Sequence, residues 1–500
     1  MKPKKARPVL AIGIDAAEPA LIRTSIEAGD SPALKRLLEE GAWSTVASPA
    51  PIGSGTVWPT FFTGTGPESH GIHSDWCWRP EEMSLARYDD RGLTPFWKRL
   101  DDEGVRVGVL DVPFAPLVGL KEGFEISEWG AHDTLEGRMK FAPESLDAML
   151  SREIAPHPFS MNGHRGAHEL EALKQLGRDC LEGARLRGEL ALRLIAETAP
   201  AFSLIVFPEI HHASHKFWHT FPSAGDAFYS RDEVEKGKLI KPSLSDIVRE
   251  VDRQIGRLIE AMGDEATVMV FSLHGMRQAR GLPAFLDVLL GAHSFSRIAG
   301  WSAQSWRERG LSLFAGLKRR TPAGLKKLYH RRLPQEMTNK LAQPTMIPAY
   351  DWSETRAFAL PSDQHGWIRI NLSGREAKGS VPLESYDATC LEIEEMLREL
   401  RTEDGQALVH DVIRTAETAR DALSQVIPDM VVHWADAAFN LPMRVGGLML
   451  EAHPAATGQT GQHAPLGFCL MKGRAGFKAQ TIWATEMHSI IKAELSGNLD

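Results

Sequence analysis

The sequence predicts an α/β fold: a mostly parallel sheet sandwiched by helices, with a helical insertion and a smaller β-rich subdomain. Two observations carry this prediction. The runs "PVLAIGID", "SLIVFPE" (203–209) and "ATVMVFSLHG" (266–275) are unbroken aliphatic and β-branched stretches, the pattern of strands buried on both faces of a parallel sheet. The last two follow long amphipathic stretches, "GARLRGELALRLIAETA" and "LSDIVREVDRQIGRLIEAMG". Repeated helix-then-strand units imply a parallel sheet covered by helices.

Taken in order, the N-terminus "MKPKKARPVLAIGIDAAEP" is basic and then apolar. Its apolar run is short, is broken by Asp15 and has no small-residue cleavage site, so it reads as a first strand rather than a signal peptide. Residues 1–289 are expected to form the first part of the core. Residues 290–345, with "WRERGLSLFAGLKRRTPAGLKKLYHRRLPQEM", are dense in Lys and Arg and read as a basic helical insertion, either a solvated face or a cap that attracts an anion. Residues 346–450 hold short alternating runs with turn residues, expected to be a smaller α+β subdomain. Residues 451–500 return to the core.

Composition narrows the function classes. The 500 residues are 43% hydrophobic and 24% charged, with a net charge of −8, ordinary for a soluble globular protein. Such mild acidity gives no reason to expect a nucleic acid or an anionic membrane as partner. No run approaches the roughly 18 apolar residues needed to span a bilayer. The four cysteines (Cys77, Cys180, Cys390, Cys469) are far apart and form no CxxC, so neither a disulfide framework nor a thiolate zinc site is indicated. A cytoplasmic protein is the expectation.

Chemistry concentrates where strands end. Asp15 follows the first run, Glu209 and His211 the second, and His274 the third; in open α/β sheets ligands bind along that edge. A carboxylate ending a buried strand is costly unless it is paired or bound to a cation. In "FPEIHHASHKFWH", His211 and His215 are spaced i, i+4, so a helix sets both on one face. His219 continues that face and His212 lies off it. His463, in "GQHAPLG", lies on what reads as a Gly-rich loop. In "PIGSGTVWPTFFTGTGPESHGIH", Ser54 and Thr56 are candidate nucleophiles. No Gly-x-Ser-x-Gly elbow surrounds them, and a hydroxyl needs a base or a metal to attack near neutral pH.

The blocks "IGIDAAEP", "SGTVWPTFFTGTGPESHGI", "HHASH", "SLHGM", "DWSETRAFA…GWIRINLSGREAKG", "PDMVVHW" and "GQHAPLG" resemble, in this order, the alkaline phosphatase superfamily. Within it they are most similar to the type I phosphodiesterase/nucleotide pyrophosphatase family. The resemblance implies an alkaline-phosphatase-like fold, two divalent metals on the C-terminal rim of the sheet, and a metal-bound Ser or Thr that forms a covalent intermediate. It implies Ser54 as nucleophile, with Thr56 as the fallback. Asp15, Ser54 and His274 would hold the second metal, and His215 and His463 the first.

Two departures matter. The family's Asp-x-x-x-His is here His211-x-x-x-His215, which keeps a ligand and suggests a three-histidine site acceptable to zinc. Its Asp-His is here Leu273-His274, which removes a ligand. Glu209 is the nearest carboxylate to fill that gap, with Glu128, His132 and Asp133 of "EWGAHD" behind it. Trp58, His132 and His365 are candidates for substrate contact, Trp58 also for plain packing, whereas Arg369 and Arg375 read as structural ion pairs.

The expected function is a metal-dependent phosphoester hydrolase acting on a small anionic diester or pyrophosphate, with one or two divalent ions, zinc first and manganese or magnesium as alternatives. A phosphotransferase or phosphomutase would share the first half of the chemistry. A binding protein with a degenerate metal site is the reading that Leu273 supports. A sulfatase is disfavoured, because no Cys/Ser-x-Pro-x-Arg surrounds Ser54.

Overall fold

The structure, a computed structural model, describes residues 7–88, 92–130, 139–144, 146, 156–158, 169–221, 229, 231–279, 285–298, 346–362, 364–435, 443–445, 448–450, 459–473 and 480–496. The chain forms two compact units, one of residues 1–70, 89–279 and 457–500, the other of 71–88 and 280–456. The second unit therefore takes in 71–88, a stretch that the sequence reading left in the core. Most of the basic insertion (299–345) lies outside the described residues, as do His132 and Asp133.

The first unit is built on a nine-stranded sheet. Its strands in chain order are β1 (Val9–Ile14), β2 (Ala42–Ala47), β3 (Val107–Leu110), β4 (Gly123–Ser127), β5 (Lys140–Ala142), β6 (Phe202–Phe207), β7 (Thr267–Ser272), β8 (Leu466–Lys472) and β9 (Thr481–Trp483). Across the sheet they run β9-β2-β8-β7-β1-β6-β3-β4-β5. β8 is antiparallel to β2 and β7, and β5 to β4; the other pairings are parallel. The predicted mostly parallel sheet is present.

All residues of β1, β6 and β7 are buried, which is why their sequences are continuous apolar runs rather than alternating ones. Ile14 pairs with Phe207 and Gly13 with Phe271. That register ends the three central strands together, so the residues that follow them share one rim.

Helices α1 (Leu170–Thr198), α2 (Glu209–Phe217) and α3 (Leu244–Met262) belong to this unit. α3 starts on a capping box between Ser243 and Asp246, which satisfies N–H groups that a helix start otherwise leaves unbonded. It buries Leu244, Ile247, Val248, Val251, Ile255 and Leu258 in the same core cluster as Leu173, Leu176 and Leu194 of α1. A Cβ on Gly188 would fall 2.2 Å from Gln254 Oε1, so glycine there lets α1 and α3 approach closely.

The second unit holds an antiparallel sheet of Ala357–Leu360, Gly366–Ile370, Met430–Trp434 and Val409–Arg414, in that order, and the helix Tyr386–Glu399. Asp429, fully buried, accepts both arms of Arg375 at 2.7 Å, the Ile370 N–H at 2.8 Å and the Tyr386 hydroxyl at 2.9 Å. Arg369 pairs with Glu376 at 2.8 Å. Arg369 and Arg375 are thus structural ion-pair residues, as the sequence suggested. No helix among the described residues is long and apolar enough to cross a membrane. The four cysteines are buried thiols.

Candidate metal centre

Asp15 leaves the end of β1 with its N–H on Phe207 O at 2.9 Å. Its carboxylate is 2% exposed and accepts two N–H donors. Trp58 Nε1–H donates to Oδ1 at 2.8 Å, and His211 Nδ1–H to Oδ2 at 2.6 Å. Gly13 makes the first of these possible, since a Cβ there would lie 2.6 Å from the Trp58 indole. Trp58 itself is buried against Phe61 and Phe271. It is a support for Asp15 within the core.

His211 and His215 sit one turn apart on α2, both buried. His211 Nε2 lies 2.9 Å from His215 Nε2 and 2.7 Å from His463 Nε2. His463 belongs to the strand Gly461–Ala464, which pairs antiparallel with Gly275–Gln278. The expected Gly-rich loop is therefore a two-stranded ribbon. Its glycine serves close approach, because a Cβ on Gly461 would fall 2.3 Å from Ser214 O. Through that gap Thr460 N–H donates to His215 O at 2.8 Å and His215 Nδ1–H donates to Gly461 O at 3.0 Å.

These contacts fix proton positions. A carboxylate and a carbonyl only accept, so His211 and His215 each carry the proton on Nδ1 when neutral and present a bare lone pair on Nε2. Two bare nitrogens facing each other at 2.9 Å repel unless a cation lies between them. The ligating atoms of His211, His215 and His463 all lie within 4.8 Å of one another. Tetrahedral zinc with nitrogens at 2.0–2.1 Å would set its donors about 3.3 Å apart. The three imidazoles fit a divalent metal.

The other candidates separate. The His274 ring stands 4.8 Å from that of His463, as close as the three rings are to one another, but 6.0 Å from that of His211, and it falls outside the group of three by its ligand atoms. Its turn is locked by Ser272, whose hydroxyl donates to His274 O at 2.6 Å and accepts Ala17 N–H at 3.0 Å. Leu273 is 1% exposed. Ser54 is half-buried and opens the 3-10 turn Ser54–Thr56, which runs into the helix Val57–Thr63 that carries Trp58. Thr56 is fully buried and donates its hydroxyl to Gly53 O at 2.6 Å.

Glu209 does not join the histidines. It bonds Arg187 Nε at 3.0 Å and His157 Nε2 at 3.2 Å, and Arg187 reaches Asp111 at 2.9 Å. Burial pushes its carboxyl up, but the Arg187 charge and His157 outweigh this and hold it below the usual range. Glu128 lies outside the three-histidine group as well. His365, in the second unit, is buried and stacks on His433 with ring centroids 4.5 Å apart.

Sequence reasoning missed Asp111, Arg187 and His157. Asp111 was within reach, since it ends the run "VGVLD" just as Asp15 ends its own.

The sequence profile of the type I phosphodiesterase / nucleotide pyrophosphatase family matches residues 9–456. The chain belongs to this phosphodiesterase family. No curated protein sequence matches it. Among solved structures, phosphonoacetate hydrolase from Sinorhizobium meliloti 1021 with phosphonoformate is 14% identical, with TM-score 0.55 over 98% of this chain and 96% of that one. The same enzyme with phosphonoacetate gives 15% and 0.54 over the same shares. An inactive form of murine ectonucleotide pyrophosphatase / phosphodiesterase 5 with AMP is 12% identical, with TM-score 0.47 over 99% and 96%. The hydrolase likeness shows that this phosphodiesterase family member shares the α/β fold.

Proposed function

We propose that this phosphodiesterase family member is a metal-dependent hydrolase of small anionic phosphoesters, diesters or pyrophosphates before simple monoesters. The observation that carries the reading is the convergence of the His211, His215 and His463 Nε2 atoms at the rim where β1, β6 and β7 end. A divalent cation held there would polarise a phosphoryl oxygen and lower the pKa of a nearby hydroxyl. Ser54 is our nucleophile, because it is half-buried in the turn that leads into the helix carrying Trp58, the partner of Asp15, while Thr56 is sealed in. Its oxygen attacks phosphorus and the ester oxygen leaves; water then cleaves the seryl phosphoester and restores the hydroxyl.

The solved hydrolase binds phosphonates, small anions of the size and charge this reading requires. Zinc is our first choice of metal on the all-imidazole ligand set. Buried cysteines outside any disulfide suit a reducing compartment such as the cytoplasm.

The test is release of p-nitrophenol from bis(p-nitrophenyl) phosphate and from p-nitrophenyl phosphate by protein stripped with a chelator and reloaded with zinc or manganese. Turnover of the diester that depends on added metal and disappears in Ser54→Ala supports the reading. Loaded protein that turns over neither ester nor a pyrophosphate such as a dinucleoside polyphosphate would leave a binding protein in its place.

A further inference from the structure

We infer that this centre takes one divalent cation rather than two, and that Asp15 serves it from behind as the carboxylate that fixes the His211 ring. The inference rests on the metal-binding part of the reading above and not on the reaction.

A second cation beside the first would draw on Asp15, Ser54, His274 and a donor at position 273. Position 273 supplies a buried leucine with no donor atom. Asp15 already holds two N–H donors. One oxygen accepts the Trp58 indole N–H and the other accepts His211 Nδ1–H at 2.6 Å. A carboxylate on the far nitrogen of a ligating histidine fixes its tautomer and raises its basicity, the usual outer-sphere arrangement of metal sites. His274 stands beside the three-histidine group and is not part of it.

Neither Glu209 nor Glu18 joins the three histidines. Glu209 pairs with Arg187 and His157, and Glu18 accepts the backbone N–H of Met276 at 3.1 Å and of Ala20 at 3.4 Å. Two dications would place four positive charges beside Asp15 with neutral imidazoles and a hydroxyl as the remaining donors, an arrangement that mutual repulsion disfavours. One dication with three imidazoles, one of them backed by Asp15, leaves a single open position for a substrate oxygen, the pattern of a catalytic rather than a closed site.

The experiment counts zinc on the full-length chain, stripped by chelator, dialysed and titrated against a chromogenic competitor, with elemental mass spectrometry as the check. One tightly bound equivalent is expected. Asp15→Asn should keep that equivalent at saturation and weaken affinity about 10–100-fold. Trp58→Phe should move affinity in the same direction by less, and His274→Ala should leave stoichiometry and affinity unchanged.

Two equivalents in the unaltered protein would overturn the inference, as would unaltered zinc affinity in both Asp15→Asn and Trp58→Phe. If Asp15→Asn does not fold, the wild-type count and Trp58→Phe decide. One zinc with no phosphoester turnover would sink the proposed reaction and leave this inference standing; two zinc ions with turnover would do the reverse. A chain that binds no zinc overturns both.

Discussion

Arg187 and Glu209 meet at 3.0 Å with no solvent exposure on either side chain. Glu209 opens α2, the helix that carries His211 and His215, and Arg187 also holds Asp111 at 2.9 Å just past β3. One guanidinium therefore ties α1 to the start of the histidine helix and to a neighbouring strand end. Removing one partner of such a pair leaves uncompensated buried charge. Arg187→Met should cost roughly 3–5 kcal/mol of stability, seen in denaturant unfolding. Glu209→Gln should also destabilise yet retain a full complement of metal, whereas loss of metal without loss of stability would make Glu209 a ligand after all.

A pH effect is expected from Glu125, in β4. It is 2% exposed and accepts the Val118 and Gly119 N–H groups, and burial pushes its carboxyl up to about 7. The folded chain then holds a proton between about pH 4.5 and 7 that the unfolded chain has released, so stability falls as pH rises through that window. The full shift is worth roughly 3 kcal/mol. Glu125→Gln should flatten the fall between pH 5 and 8; an unchanged pH profile of the melting temperature would contradict this.

The two hydroxyls near the rim should behave differently. Thr56→Val removes a buried donor to Gly53 O and should cost about 1 kcal/mol of stability while phosphoester turnover stays within a few-fold of wild type. Ser54→Ala should fold normally and lose turnover by several orders of magnitude. The reverse pattern in steady-state kinetics would make Thr56 the nucleophile.

Gly461→Ala tests the docking of the ribbon on α2. The new methyl would meet Ser214 O at 2.3 Å and Trp218 Cβ at 2.9 Å, so the ribbon must shift. A cost of about 1–3 kcal/mol is expected for such overpacking, together with weaker zinc binding, because His463 moves with its strand. Unfolding curves and zinc titration check both parts.

Much of this was legible from residues alone. Buried parallel strands announce themselves as unbroken apolar runs, and a charged or imidazole residue at the end of one has few reasons to be there. Asp15, His211 and His274 were found that way. The i, i+4 spacing of His211 and His215 set them on one face, and the structure bears this out.

What was hidden is pairing. Nothing in the sequence tells whether Asp15 faces a cation or His211, because that depends on a Trp58 indole 43 residues away. Glu209 looked like a spare ligand until Arg187, on another helix, was seen to neutralise it. The glycine of "GQH" suggested a Gly-rich loop, whereas it is the condition for a strand to lie against a helix.

The ribbon carries one more consequence. His463 stands 252 residues beyond His211 in the chain, and β8, which follows it, slots between β2 and β7. While the chain is still being synthesised, the emerging protein can display the helical imidazole pair long before the third arrives. The three-imidazole group is therefore a signature of a finished molecule, and a ribosome that stalls early releases a product with two of its three members.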